Sequence, residues 1–229
     1  MTEIALDPRL ATIAEMLGNC RCVADIGTDH GRLGAHLLQH GRCEHVQFLD
    51  ISADSLAKAR ALIERLSLLE RASFGVGDGA AAMTRPADAV VVAGMGGLLI
   101  ADILEAGVDR LRDAKLVLQP NVAQRSLRER IMRLGFAIED ERLVKAGGRY
   151  YVIIAARAGT SRYGERELIV GPQLLAQRPP LLQEYAKRQL RIAKSAHHGA
   201  MQGDAPWTEA RKSEVMAWEA IVDESGECP

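Results

Sequence analysis

From residue 23 the chain reads Val-Ala-Asp-Ile-Gly-Thr-Asp-His-Gly-Arg-Leu-Gly: a short apolar run ends in a carboxylate, enters a glycine-containing turn and opens into a helical pattern. No other segment constrains the fold as strongly. In an open α/β sheet, ligands sit beyond the carboxyl ends of the strands, where glycines let the backbone approach them closely. The turn therefore predicts a nucleotide-cofactor seat, with Asp25, Ile26 and Gly27 at the strand end. A dinucleotide fold needs G-x-G-x-x-G to admit a pyrophosphate. Here Asp29 stands where the middle glycine would be, with His30 after it, so the turn is acidic. Such a turn suits a ligand that carries an amino group and a sulfonium better than one that carries a pyrophosphate.

Glycine and aspartate also build ordinary loops, so the neighbouring segments carry the case. His45-Val-Gln-Phe-Leu-Asp50 reads as a second strand closing on a carboxylate, the position from which nucleotide-binding α/β folds hold ribose hydroxyls. Asp50 is the expected ribose contact, with Ile51 beside it. A third strand over 72–76 runs into Gly77-Asp-Gly79, where Asp78 can accept the exocyclic amino group of an adenine. Each carboxylate taken singly also reads as a helix N-cap or turn residue. Three of them at successive strand ends favour the ligand reading.

A length of 229 residues with 48% hydrophobic content accommodates one α/β domain of ordinary size plus an appendage. The formal charge of −1 supplies no basic field over the whole protein, so any nucleic-acid contact must come from local basic surface. Cys20, Cys22, Cys43 and Cys228 form no C-x-x-C pair and read as reduced and structural; no ligand cluster suggests a metal. Residues 1–17 include Glu3, Asp7 and Glu15 and lack the apolar core of a signal peptide. The longest apolar stretch, 89–100, is broken by Gly94, Gly96 and Gly97 and is too short to span a bilayer. A cytoplasmic location is expected.

Along the chain, the spacing predicts a helix over 8–17, strands over 23–26, 45–50, 72–76, 87–93 and 115–119, and intervening helices, one of them capped by Ser52. Segments 136–144 and 149–157 read as a terminal hairpin. The pattern predicts a doubly wound, mostly parallel seven-stranded sheet with a reversed edge strand, the class I (Rossmann-like) methyltransferase architecture. Residues 1–160 form the expected cofactor-binding catalytic domain. Residues 164–229 turn helical, polar and charged, and read as an appended helical hairpin whose long helix starts after Pro179-Pro180, with a loop over 199–206 and a second helix over 208–222.

Several segments, in this order, resemble the bacterial tRNA (adenine-N1)-methyltransferases that modify adenosine 22: Arg9-Leu-x-x-Ile-Ala14, Ala24-Asp-Ile-Gly-Thr-Asp-His30, Gly77-Asp-Gly79, Ala93-Gly-Met-Gly-Gly97, Leu118-Gln-Pro-Asn121 and Gly148-Arg-Tyr-Tyr-Val-Ile-Ile154. The resemblance covers about residues 9 to 157, and the glycine spacing at 27 and 31 is similar to the S-adenosylmethionine turn of class I methyltransferases. It implies S-adenosylmethionine as donor, tRNA as partner and N1 of an adenine as acceptor. It further implies that Asp25, Gly27, Asp50, Asp78, Gly79, Ala93 and Gly94 face the cofactor, and that Asp29, His30, Met95, Gly96 and the Gln119-Pro-Asn121 loop face the methyl-transfer side. The family's usual D-H-A-Y-L-P is replaced here by D-H-G-R-L-G, with Arg32 and Gly34 where the family has Tyr and Pro.

Adenine N1 carries an in-plane lone pair and is unprotonated at neutral pH, so the implied transfer needs orientation more than a strong base. Asp29 and the carbonyls of residues 94–96 are the acceptors expected near the developing positive charge. Gln119 or Asn121 can take the N6 amino edge, and Tyr150 or Tyr151 can stack on the base. The alternative for the turn is that Asp29 caps the next helix and His30 is packed. The cations expected on RNA are Arg9, Arg32, Arg125, Arg128 and Arg149 on the body, and Arg178, Lys187, Arg188, Arg191, Lys194, His197 and His198 on the tail. The tail's alternative is a solvated helix face balanced by Glu184, Glu209, Glu214 and Glu219. Two further functional readings stay open: methyl transfer to another RNA position or a small molecule, and a non-catalytic cofactor- or RNA-binding module.

Overall fold

The computed structural model describes residues 3–201 and 208–224. The first helix, α1 (Pro8–Leu17), is capped by Asp7, whose carboxylate accepts the Leu10 N–H, and has proline in its first turn, where the missing donor costs nothing. Then follow β1 (Cys20–Ile26), α2 (Arg32–Gln39), β2 (Cys43–Asp50), α3 (Ala53–Arg65), β3 (Ala72–Val76), β4 (Ala89–Met95), α4 (Gly97–Ala106), the single turn α5 (Val108–Leu111), β5 (Lys115–Pro120), α6 (Gln124–Arg133), β6 (Phe136–Ala146) and β7 (Arg149–Ala158). Ser52 caps α3 through its hydroxyl, as the sequence predicts.

The seven strands form one sheet in the order β3-β2-β1-β4-β5-β7-β6. Strands β1 to β5 run parallel, and β7 lies antiparallel between β5 and β6. The inversion follows from the tight turn at Gly147 and Gly148, both at positive φ, which returns β7 against β6. The central strands are apolar on both sides. Val90, Val92, Leu116 and Leu118 join the core on one face, and Val91, Val117 and Ile153 join that on the other, as a sheet covered by helices on both faces requires.

The tail is more elaborate than a two-helix hairpin: α7 (Glu165–Val170) and α8 (Pro172–Gln177) precede the antiparallel pair α9 (Leu182–Met201) and α10 (Thr208–Asp223). Helix α9 continues past Gly199, where the sequence predicts a loop; the 202–206 part of that loop, the side chains of His197 and His198, and Cys228 lie outside the described residues. Arg128 and Arg125, expected on the surface, are engaged instead. Arg128 is fully buried, pairs with the equally buried Glu141 at 2.8 Å, and donates to the carbonyls of Leu168, Ile169 and Val170 at the end of α7. The other Glu141 oxygen accepts the Gln173 N–H of α8. This ion pair therefore ties α6 and β6 of the sheet body to the start of the tail. Arg125 pairs with Glu129 and Glu165.

Candidate active site

Strand order reverses between β1 and β4: the chain winds outward from β1 to β3 and then crosses back to β4. A crevice must open there beyond the carboxyl ends, because the loops leave in opposite directions. The ends of the two strands are shaped to meet. Gly27 has φ +78° and Gly94 φ +80°. The register of β4 on β5 shifts between Ala93 and Met95, a bulge that re-aims the following side chain. Met95 is thereby laid over Gly27, where any Cβ would run into the Met95 methyl. A cavity of about 440 Å³ at this point is lined by Asp25, Gly27, Asp29, His30, Arg32, Ala93, Gly94 and Met95, with Asp7, Arg9 and Leu10 of the N-terminal segment closing it. That is within the ~300–1,000 Å³ of small-ligand sites.

Asp25, Asp50 and Asp78 stand at the ends of adjacent strands β1, β2 and β3. Asp25 is 8% exposed. Burial, opposed by a hydrogen bond from Thr28 and reinforced by the nearby Asp50, pushes its carboxyl from 3.8 up to about 6. One Asp50 oxygen accepts the Ser52 N–H at 2.7 Å. Asp78 is exposed, and Ile51 beside Asp50 is 75% exposed. Ile26 is buried in the core, and Gly79 is buried against Ile103. The donor set predicted from sequence thus divides into a group lining the cavity (Asp25, Gly27, Ala93, Gly94), of which only Asp25 is buried, and an open shelf (Asp50, Ile51, Asp78) with Ile26 and Gly79 beneath.

Helix α2 begins after Gly31 with no side-chain cap, so Asp29 is not a capping residue. Its carboxylate meets His30 Nε2 at 3.0 Å and Lys58 Nζ at 3.8 Å, and both members of the Asp29–His30 pair are exposed. Both residues face the cavity. The two departures from the family's turn have local causes. A side chain at Gly34 would collide with the Phe48 ring, and Arg32 donates to the Ala5 carbonyl at 2.7 Å.

Gln119 departs from expectation. It is fully buried; its Oε1 accepts from Arg9 Nη1 at 2.7 Å and from the Gly94 N–H at 3.2 Å, and its Nε2 donates to Asn121 Oδ1 at 3.0 Å. Asn121 Nδ2 in turn donates to the Gly94 carbonyl at 2.7 Å, and the Asn121 N–H to the Met95 carbonyl at 2.8 Å. Both Gly94 backbone groups have fixed polarity, so they dictate which end of each amide is oxygen. Gln119 therefore cross-links Arg9, Gly94 and Asn121 in the wall of the cavity. The carbonyls of Gly94, Met95 and Gly96 each already accept a hydrogen bond, the last from Ile100 N–H. Gly96 itself is the N-cap of α4. Asn121, by contrast, is exposed and, among the described residues, keeps one side-chain N–H and one oxygen lone pair free.

Asn121 opens onto a second cavity of about 770 Å³, lined also by Asp7, Arg9, Gly94, Arg149, Tyr150 and Tyr151, and by Tyr185, Arg188, Gln189 and Ile192 of α9. The two cavities share Asp7, Arg9 and Gly94. Tyr150 lies 5.6 Å from Tyr185, which meets Trp218 edge-on at 5.5 Å. Arg188 sits over the Tyr150 ring. Arg191 lies farther along α9, in a shallow groove with Arg188, Ile192 and Ser195. Of the other tail cations, Arg178 pairs with Glu224 and Lys194 with Glu219. Tyr185 and Gln189 escaped the sequence reading, although 185, 188, 189 and 192 share one helical face, a spacing able to reveal a common wall. Among the described residues no group of three or more His, Cys, Asp or Glu is placed to hold a metal ion, and no helix is long and apolar enough to cross a membrane.

A sheet in this order, with an acidic seat at its switch point and a second cavity behind one shared wall, is the layout of a Rossmann-like methyltransferase. A family profile described as a methyltransferase domain matches residues 6–154. The tRNA (adenine(22)-N(1))-methyltransferase of Bacillus subtilis is 35% identical over 161 residues, 69% of this chain and 68% of that protein. The crystal structure of the B. subtilis m1A22 tRNA methyltransferase superposes with a TM-score of 0.87 at 27% identity, covering 96% of this chain and 100% of that one. A Streptococcus agalactiae protein of the NADB-Rossmann superfamily gives a TM-score of 0.90 at 24% identity over 97% of this chain and 99% of its own. The chain belongs to the tRNA (adenine(22)-N(1))-methyltransferase family.

Proposed function

We propose that this protein transfers a methyl group from S-adenosylmethionine to N1 of an adenine in tRNA, adenosine 22 by family kinship, in the cytoplasm. The observation that carries the proposal is the shared wall: one cavity lined by Asp25 and Asp29 and one lined by arginines and tyrosines meet at Arg9 and Gly94. Residues 1–160 supply the donor side, and residues 164–229 complete the acceptor side through α9.

The residues present fit the donor. Gly27 leaves the turn open, Asp25 and Asp29 offer anions to an ammonium group, and Asp50, Ile51 and Asp78 form a shelf for ribose and adenine. When bound, S-adenosylmethionine supplies a methyl group on a positively charged sulfur, which nitrogen can displace directly. The chain's part is alignment. Asn121 Oδ1 has a lone pair left to accept an adenine N6–H, which would turn N1 toward the cavity shared with Met95 and Gly94. Tyr151, on the same wall, offers a ring face to the base. The Gly94 carbonyl, which keeps a second lone pair beside the Asn121 bond, would stabilise the cation that forms on the methylated ring. No proton has to leave N1, so the exposed Asp29–His30 pair is not required as a base. Because N1 lies on the pairing edge, the nucleotide must be unstacked to enter, and Arg149, Arg188 and Arg191 can hold the flanking phosphates.

The test is to incubate the protein with labelled S-adenosylmethionine and unmodified tRNA transcripts, digest to nucleosides, and identify the product. N1-methyladenosine is expected, mapped to the D-arm, and reduced severalfold or more by Asn121→Ala with donor affinity retained. Label transferred to a different nucleoside, or only to small molecules, overturns the assignment.

A further inference from the structure

Arg9 lines both cavities. Its guanidinium carries five N–H donors, yet its hydrogen bonding is confined to Nη1 on Gln119, and it lies 5.6 Å from the centre of the Tyr151 ring. Among the described residues no carboxylate stands within ion-pair distance of it, whereas Arg125, Arg128, Arg130 and Arg142 all face carboxylates. One oxygen of the Asp7 carboxylate that shares its cavities caps the N-terminus of α1. A half-buried guanidinium without a counter-ion is poorly compensated in the free protein, and its planar fork is matched to a carboxylate or a phosphate.

We propose that Arg9 is the oxyanion clamp of this site: one arm fixes Gln119 and the Gly94 wall, and the remaining N–H groups grip an anionic group of a ligand where the two cavities meet. This rests on the methyltransferase reading. Two ligands bring the required chemistry to that wall, the α-carboxylate of the donor's methionyl end and a phosphate next to the target nucleotide.

The experiment compares wild type, Arg9→Ala and Arg9→Lys, each checked for folding by thermal melting. It measures calorimetric affinity for S-adenosylhomocysteine, affinity for 5′-methylthioadenosine, which lacks the amino-acid end, and tRNA affinity over a salt series. A charge-assisted contact of this kind predicts a loss of about ten- to a hundredfold on Arg9→Ala, with part retained by lysine. If S-adenosylhomocysteine weakens while methylthioadenosine does not, the anion is the donor carboxylate. Should tRNA weaken, with its salt slope reduced by about one and S-adenosylhomocysteine unchanged, the anion is a phosphate. Loss of both S-adenosylhomocysteine and tRNA, with methylthioadenosine unaffected, assigns both. The clamp is overturned if Arg9→Ala binds all three like wild type, or if it weakens the two nucleosides equally, which marks Arg9 as a support for Gln119 alone. Wild type that fails to bind S-adenosylhomocysteine overturns the methyltransferase reading itself.

Discussion

Replacing Asp25 with asparagine is expected to stabilise the ligand-free protein at neutral pH while weakening its donor site. The buried Asp25 carboxyl is raised from 3.8 to about 6. Each whole step in pKa is worth ~1.36 kcal/mol, so the rise amounts to about 3 kcal/mol of disfavoured ionisation. The sign follows from proton counting. Between pH 3.8 and about 6 the native state holds the proton and the unfolded chain has lost it. Stability contributed by the protonated group is therefore full below that window and disappears as pH rises through it. Asparagine carries no charge and keeps an oxygen for Thr28. The variant should gain about 3 kcal/mol over wild type above pH 7 and nothing near pH 3.5, a shift in melting midpoint of roughly 6–12 °C at neutral pH for a chain this size. Urea titrations at pH 4, 6 and 7.5 read the difference directly, and S-adenosylhomocysteine titrations should show weakened binding by the same variant. A variant less stable than wild type at pH 7.5, or a stability difference that stays flat with pH, would refute the reasoning.

Two glycines should separate folding from binding. Gly97→Ala places a Cβ against the carbonyls of Ala123 and Val122 at 2.5 and 2.8 Å, backbone that cannot yield, and should lower the melting midpoint well beyond the effect of Gly27→Ala. The latter meets only the movable end of Met95, costs roughly 1–2 kcal/mol for its positive φ, and should instead show reduced donor affinity by calorimetry. Arg128→Met leaves Glu141 buried without its partner and should cost about 3–5 kcal/mol in denaturant titration. Adding Glu141→Leu should recover much of that loss, and a double variant no more stable than the single would contradict the account of this pair.

Where a residue's role depends on its own strand, the sequence declares it. Val90 to Val92 are apolar without alternation because both faces of β4 are covered, and Asp25, Asp50 and Asp78 mark strand ends because each follows an apolar run. Where the role depends on distant partners, the sequence misleads. Arg128 belongs to a charged helical pattern that reads as surface, and only the folded chain brings Glu141 and the carbonyls of 168–170 around it. Gln119 sits at a strand end like a ligand contact, but the bulge at Gly94 presents an N–H that takes its oxygen inward. The wall of the second cavity is least legible in the sequence because Tyr185, Arg188, Gln189 and Ile192 reach it from α9, whose docking face is chosen by contacts such as Tyr150 with Tyr185.

The buried Arg128–Glu141 pair also sets an order of events on the ribosome. The sheet and its switch-point crevice consist of residues up to Ala158, which leave the ribosome before the tail. Glu141 and Arg128 then wait, with three donor groups and a carboxylate oxygen unsatisfied, for the carbonyls of 168–170 and the Gln173 N–H. Their arrival seats the base of the tail, and only afterwards do Tyr185 and Arg188 reach the hairpin. All residues lining the first cavity precede residue 96, whereas the second also needs Tyr185, Arg188, Gln189 and Ile192, so synthesis supplies the lining of the one before that of the other.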